Sequence, residues 1–136
     1  FDAAGLVDRV DFVRGFGRAD RIGFLRSVSV LSVPVPGGEA LGMHLLEALA
    51  SGVPIVQPDA GGFPELVEAT GGGVVYAPND ADSLAKALGE LLLDPERARG
   101  LGLRGSEAVR ERFGVEKMAE EMVHLYLRLA ERRRSE

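Results

Sequence analysis

Val33-Pro34-Val35-Pro36-Gly37-Gly38-Glu39-Ala40-Leu41-Gly42-Met43-His44-Leu45-Leu46-Glu47-Ala48-Leu49-Ala50-Ser51-Gly52-Val53-Pro54 runs from a β-branched segment through a glycine loop into an apolar helical pattern. A strand ending at Pro34 and a helix beginning near Gly42, with Leu45, Leu46 and Leu49 apolar, make one strand–loop–helix unit. The unpaired N–H groups of such a helix point outward at the carboxyl edge of the sheet. In open α/β sheets ligands bind at that edge, and a helix N-terminus there favours phosphate.

Working outward, short β-branched or alternating runs at 10–13, 27–34, 54–56 and 74–76 predict four strands. Helical patterns at 19–26, 42–51 and 64–69 fall between them, the last with Pro64 suited to a first helical turn. Strands that are apolar on both faces and alternate with helices predict an α/β fold, a Rossmann-like parallel sheet flanked by helices. Beyond the sheet the pattern is helical. Leu84, Leu88, Leu91 and Leu92 mark one stripe, Asp94-Pro95 a break, 97–113 a further helix, and Met118, Met122, Leu125, Tyr126 and Leu129 a second stripe with the spacing of core residues. The chain reads as one incomplete domain over 1–136, with sheet and ligand site in 1–94 and a helical tail in 95–136.

Composition narrows the function classes. Sixteen basic against 21 acidic residues leave a net charge of −5, a poor match to a duplex nucleic acid, so no nucleic-acid partner is expected. The absence of cysteine removes disulfide scaffolds, thiolate metal sites and a cysteine nucleophile. His44 and His124 are the only histidines, so a His-rich metal centre is excluded. No apolar run reaches the ~20 residues of a membrane helix, and Asp2, Asp8 and Arg9 sit where a secretion signal would be apolar. The corresponding expectation is a cytoplasmic domain, with weak peripheral attraction of Arg132, Arg133 and Arg134 to an anionic membrane. Glycine makes up 18 of 136 residues and sits at junctions, as in Gly37-Gly38, Gly61-Gly62 and Gly71-Gly72-Gly73, marking turns rather than a linker. Gly61-Gly62 reads equally as a tight turn or a second anion site.

Glu39 lies in the glycine loop and Glu47 in the opening turns of the helix, about 200° around from Leu45. First-turn glutamates also favour helix N-termini with no ligand present. Two carboxylates flanking an anion site suit hydroxyl groups, because a carboxylate accepts two hydrogen bonds from a vicinal diol. A nucleotide sugar combines a ribose diol, a diphosphate and hexose hydroxyls in one molecule.

This stretch resembles the signature of retaining glycosyltransferases of the GT-B fold, group 1 (family 4), in which two glutamates are separated by seven residues in the same setting. The likeness extends over Arg9-Val10-Asp11-Phe12 with Gly15, then Phe24-Leu25-Arg26-Ser27-Val28-Ser29-Val30-Leu31-Ser32-Val33-Pro34, Leu46-Glu47-Ala48-Leu49-Ala50-Ser51-Gly52-Val53-Pro54-Ile55-Val56 and Gly61-Gly62-Phe63-Pro64-Glu65-Leu66-Val67. Most of 9–94 is covered, and Arg112-Phe113 with the final helix is similar to the family's tail. The resemblance implies that Glu39 contacts the donor sugar as the catalytic carboxylate and that Glu47 holds the ribose. It further implies that the N–H groups of Leu41, Gly42 and Met43 meet the diphosphate, with Gly38 and Gly15 completing the donor site. It implies a UDP- or GDP-sugar donor, no cofactor and no required metal. Asp80-Ala81-Asp82, though similar to a metal-binding pair, is expected to cap the helix after it. Two departures are Ala40, where members commonly have glycine, and His44, where they commonly have proline.

The family's full enzymes carry an N-terminal acceptor domain and two strands that precede 10–13 in sequence and lie, in the sheet, between those matched by 10–13 and 27–34. A fragment is therefore expected, inactive alone and open to intermolecular strand pairing or a swapped dimer. Rival readings are a nucleotide-sugar epimerase or phosphorylase of the same fold, and a non-catalytic α/β interaction module.

Overall fold

A computed structural model describes residues 4–14 and 17–134. After a 3-10 turn at Val7–Arg9, the elements in chain order are α1 (Arg18–Ser27), α2 (Met43–Ala50), β1 (Ile55–Pro58), α3 (Phe63–Thr70), β2 (Gly73–Tyr76), α4 (Ala81–Leu93), α5 (Pro95–Arg112) and α6 (Val115–Arg134). β1 and β2 pair in parallel with Ile55 opposite Gly73 and Pro58 opposite Tyr76. On the other edge of β1, Leu31 forms a parallel bridge to Ile55, with Leu31 N donating to Pro54 O at 3.0 Å and Val56 N to Leu31 O at 2.9 Å. β1 is thus the middle strand, and all four of its residues are buried.

Successive residues of β1 feed opposite layers, as strand geometry requires. Ile55 joins Leu45, Leu49, Phe63 and Leu66 in the core beneath α2 and α3. Val56 joins Tyr76, Leu91 and Leu101 beneath α4 and α5. Helices cover both faces, so the expected α/β sandwich is what forms. Its helices begin and end where the local chemistry directs. Pro64 sits in the first turn of α3, and Gly71, at φ 58°, closes that helix in the left-handed region. The Asp80 carboxylate accepts from Asp82 N at 3.0 Å and Ser83 N at 3.1 Å, so it caps α4. Asp94 caps α5 through Arg97 N at 2.9 Å. An Asp80→Ala variant is expected to lose about 1 kcal/mol of stability in urea denaturation, with Asp80→Asn close to wild type; equal midpoints for all three would refute the cap.

Three sequence expectations are corrected. Residues 10–13 form no strand: Val10 is extended (φ −121°), but Phe12 is 76% exposed and nothing among the described residues pairs with the segment. A lone extended run has no ladder to hold it. The strand expected at 27–34 shrinks to the bridge at Leu31, because Ser27 closes α1 with its Oγ on Phe24 O at 2.7 Å and the prolines at 34 and 36 offer no N–H. The methionine stripe of α6 is not core. Met118 is 61% and Tyr126 60% exposed, and among the described residues the main contact of α6 is with α5.

One device was illegible in the sequence. The helix at 97–113 lacks a long apolar stripe, yet α5 buries Leu101, Gly102, Gly105, Ser106 and Val109. A Cβ on Gly102 would overlap the Gly52 carbonyl oxygen, and one on Gly105 would reach Leu49 Cδ2 at 2.6 Å. Glycine here allows helix backbone to lie directly on the turn that ends α2 and on Gly72.

Candidate functional site

The loop carrying Glu39 is held by backbone rather than by side chains. Gly38, at φ 66°, closes a turn with its N–H on Val35 O at 3.0 Å. Any Cβ there would lie 2.5 Å from the carbonyl carbon and oxygen of Ala60. On the facing turn, a Cβ on Gly61 would sit 2.7 Å from Glu39 O, one on Gly62 would overlap Ala40 O, and Gly62 N donates to Glu39 O at 2.7 Å. The two glycine turns therefore press backbone to backbone, and Gly61-Gly62 acts as the clamp of the Glu39 loop. Of its two sequence readings, the tight turn is the one this packing supports.

Gly42 caps α2 at φ 73°, with Leu45 Cδ1 3.0 Å and Phe63 Cε1 3.4 Å from the place of a Cβ. That left-handed step lets the chain enter α2 over the buried ring of Phe63. The N–H groups of Leu41, Gly42, Met43 and His44 donate no hydrogen bond among the described residues. They are the free donors that a helix start presents to an anion.

Glu39 and Glu47 line one cleft of about 520 Å³ together with Arg21, His44 and the apolar Phe24, Leu31 and Val33. The acids do not splay to opposite sides. Each has a basic neighbour: Arg21 Nη2 stands 3.2 Å from Glu47 Oε1, and His44 Nδ1 3.8 Å from Glu39 Oε2. The side chains of both pairs are more than a third exposed, so the pairs orient carboxylates more than they stabilise the fold. The cleft floor is apolar and its rim is charged, a lining that suits a ring or sugar face with hydroxyls at its edge.

A few buried side-chain polar atoms have no partner. Among the described residues they are Ser32 Oγ, His44 Nε2 and both amide atoms of Gln57. Buried polar groups are nearly always bonded, and of these four the one that lines the cleft of Glu39 and Glu47 belongs to His44. Across the Pro34–Pro36 turn lies a smaller cavity of about 230 Å³ lined by Pro58, Tyr76 and Asn79. Burial raises the Tyr76 hydroxyl above its ordinary pKa. Asp80 also borders it, but its carboxylate is occupied in capping α4.

Glu39 and Glu47 line one cleft, and Gly38, Leu41, Gly42 and Met43 lie on the same loop and first turns of α2. Gly15 lies outside the described residues. Arg21 was missed by sequence reading. Its signal was available: it precedes the buried Leu25 by four positions, so both share the face of α1 that meets α2. Among the described residues no helix is long and apolar enough to cross a membrane.

Residues 1–107 match the profile of the family described as glycosyl transferases group 1. The N-acetyl-alpha-D-glucosaminyl L-malate synthase of Bacillus anthracis is 34% identical over 119 residues, which cover 88% of this chain and 30% of that protein. Sucrose-phosphate synthase from Thermosynechococcus elongatus superposes with a TM-score of 0.84 at 34% identity, covering 94% of this chain and 32% of the other. Anabaena HepE in complex with UDP and glucose gives 0.81 at 26% identity, covering 92% and 34%. The chain thus spans about a third of the length of these proteins. With its α/β sandwich and its glutamate pair in one cleft, the chain belongs to the group 1 glycosyl transferases of the GT-B fold.

Proposed function

We propose that this chain is the donor-binding part of an enzyme that transfers a sugar from a nucleotide-diphosphate sugar to an acceptor with retention of configuration. The observation that carries the reading is the shared cleft of Glu39 and Glu47, with the free N–H groups of Leu41, Gly42 and Met43 on the turn between them. Glu47, already orientated by Arg21, accepts hydrogen bonds from the ribose hydroxyls. The amides and the positive end of α2 receive the diphosphate. Leaving-group charge grows there as the bond to the sugar breaks, and donors fixed in advance by the clamped glycine loop need no reorganisation at that moment. Glu39 faces the sugar and offsets the oxocarbenium charge that develops on it. The UDP and glucose held by the HepE relative support a donor of this class. The acceptor binds across a cleft formed with a second domain, so this chain alone binds donor without transferring its sugar.

The test is a titration of the chain with UDP and with GDP, followed in ¹H–¹⁵N spectra. The expected result is saturable shifts concentrated on Leu41, Gly42 and Met43 for one of the two nucleotides. Absence of shifts with both at millimolar concentration, or shifts confined to α4–α6, would overturn the reading. With the full-length protein, an epimerised nucleotide sugar formed without acceptor would replace transfer by epimerisation.

A further inference from the structure

His44 is the second residue of α2 and lines the donor cleft, with one ring edge toward Glu39 and the other in the protein. Nδ1 lies 3.8 Å from Glu39 Oε2, whereas Nε2 is buried and has no partner. The two edges are therefore unequal. A proton on Nε2 would be a buried donor with nothing to accept it, and on Nδ1 it faces a carboxylate oxygen. The other basic side chain of the cleft, Arg21, is paired with Glu47 rather than Glu39.

We propose that His44 is a positioning residue of the donor site: its imidazole carries the proton on Nδ1 and turns the Glu39 carboxylate toward the sugar of a bound nucleotide sugar. The proposal rests on the reading of Glu39 as the sugar-facing carboxylate. The 3.8 Å separation shortens to a hydrogen bond when the sugar fills the cleft, as catalytic contacts commonly do on binding. The consequence is specific. Loss of the Nδ1 donor weakens binding of the nucleotide sugar and leaves binding of the bare nucleoside diphosphate unchanged, because the diphosphate and ribose are held by the amides and Glu47.

Two variants separate positioning from packing. In His44→Asn the amide nitrogen takes the place of Nδ1, and His44→Leu keeps bulk without a donor. With UDP, GDP, UDP-glucose and GDP-mannose as probes, His44→Leu is expected to bind the nucleotide sugar roughly three- to tenfold more weakly than wild type, with His44→Asn within about twofold of it. All three proteins should bind the diphosphate equally. Unchanged sugar-nucleotide affinity in His44→Leu would overturn the proposal and leave the donor reading intact. Absence of diphosphate binding by wild type would overturn the donor reading instead. The tautomer decides the point independently of any ligand. The chain has only two histidines, so long-range ¹H–¹⁵N spectra resolve both rings. Nδ1 protonation of His44 that is lost in Glu39→Leu, which leaves no side-chain acceptor at that position, supports the proposal, and an Nε2-protonated ring indifferent to that change refutes it.

Discussion

Replacing Glu47 by alanine is expected to weaken binding of the nucleoside diphosphate by roughly one to two powers of ten, with little change in stability. The size follows from what is lost, hydrogen bonds to an ionised acceptor at about 1.5–3 kcal/mol. The fold should tolerate the change. Glu47 and Arg21 are both more than a third exposed, and an ion pair of that kind is worth about 0–1 kcal/mol. The neighbouring Leu45, Leu46, Ala48 and Leu49 keep their burial, so α2 stays in place. Calorimetric titration beside a urea melt separates the two effects. Glu47→Gln keeps one acceptor oxygen and should fall between alanine and wild type. A variant that melts as wild type and binds as wild type would show that Glu47 serves only Arg21, and the ribose role would then be lost.

The loop and helix bearing Glu47 were readable because two local signals agreed there: glycines where the chain must turn, and a leucine pattern at helical spacing just after them. The same agreement made α3 and α4 legible, where Pro64 and Asp80 announce the helix start. Sequence reasoning failed where the outcome depends on a partner rather than on the segment itself. Residues 10–13 alternate as a strand should, but pairing is a property of two segments, and no described neighbour supplies the second. Met118 and Met122 have core spacing, but spacing reports only which residues share a face, not what covers it. The converse holds for α5, whose apolar pattern is thin because Gly102 and Gly105 pack by having no side chain. In the site, Glu39 and Glu47 were singled out by their setting together with the family resemblance, and the fold places both on one cleft. The face of α1 that carries Arg21 was legible from its spacing to Leu25, but its partner was not, since the contact joins α1 to α2 and only the fold sets that distance.

The clamp on the Glu39 loop supplies the second large effect, in Gly62→Ala. Gly62 has φ −85°, a value any residue adopts, so alanine meets no backbone strain of its own there. On conformational grounds alone the change would stabilise the fold by about 0.4–1 kcal/mol through the unfolded chain. Contact reverses the sign. The added methyl would overlap Ala40 O, with Ala40 C at 3.0 Å and Glu39 O at 3.2 Å, and carbonyls of a clamped loop cannot rotate aside as a side chain could. Forced overpacking of this kind costs about 1–3 kcal/mol. The shift falls on the residues proposed to bind the donor, since relieving it stretches the 2.7 Å bond from Gly62 N to Glu39 O and moves Glu39 relative to the amides of α2. Nucleotide-sugar affinity is therefore expected to fall by roughly tenfold or more, because misplacement of a site by about an ångström can cost a hundredfold. Gly89→Ala is the matched control. It lies within α4 with open space around it and is expected to stabilise the fold by up to about 1 kcal/mol without touching binding. If Gly62→Ala melted at or above the wild-type temperature and kept full affinity, the two glycine turns would not be the clamp that fixes Glu39.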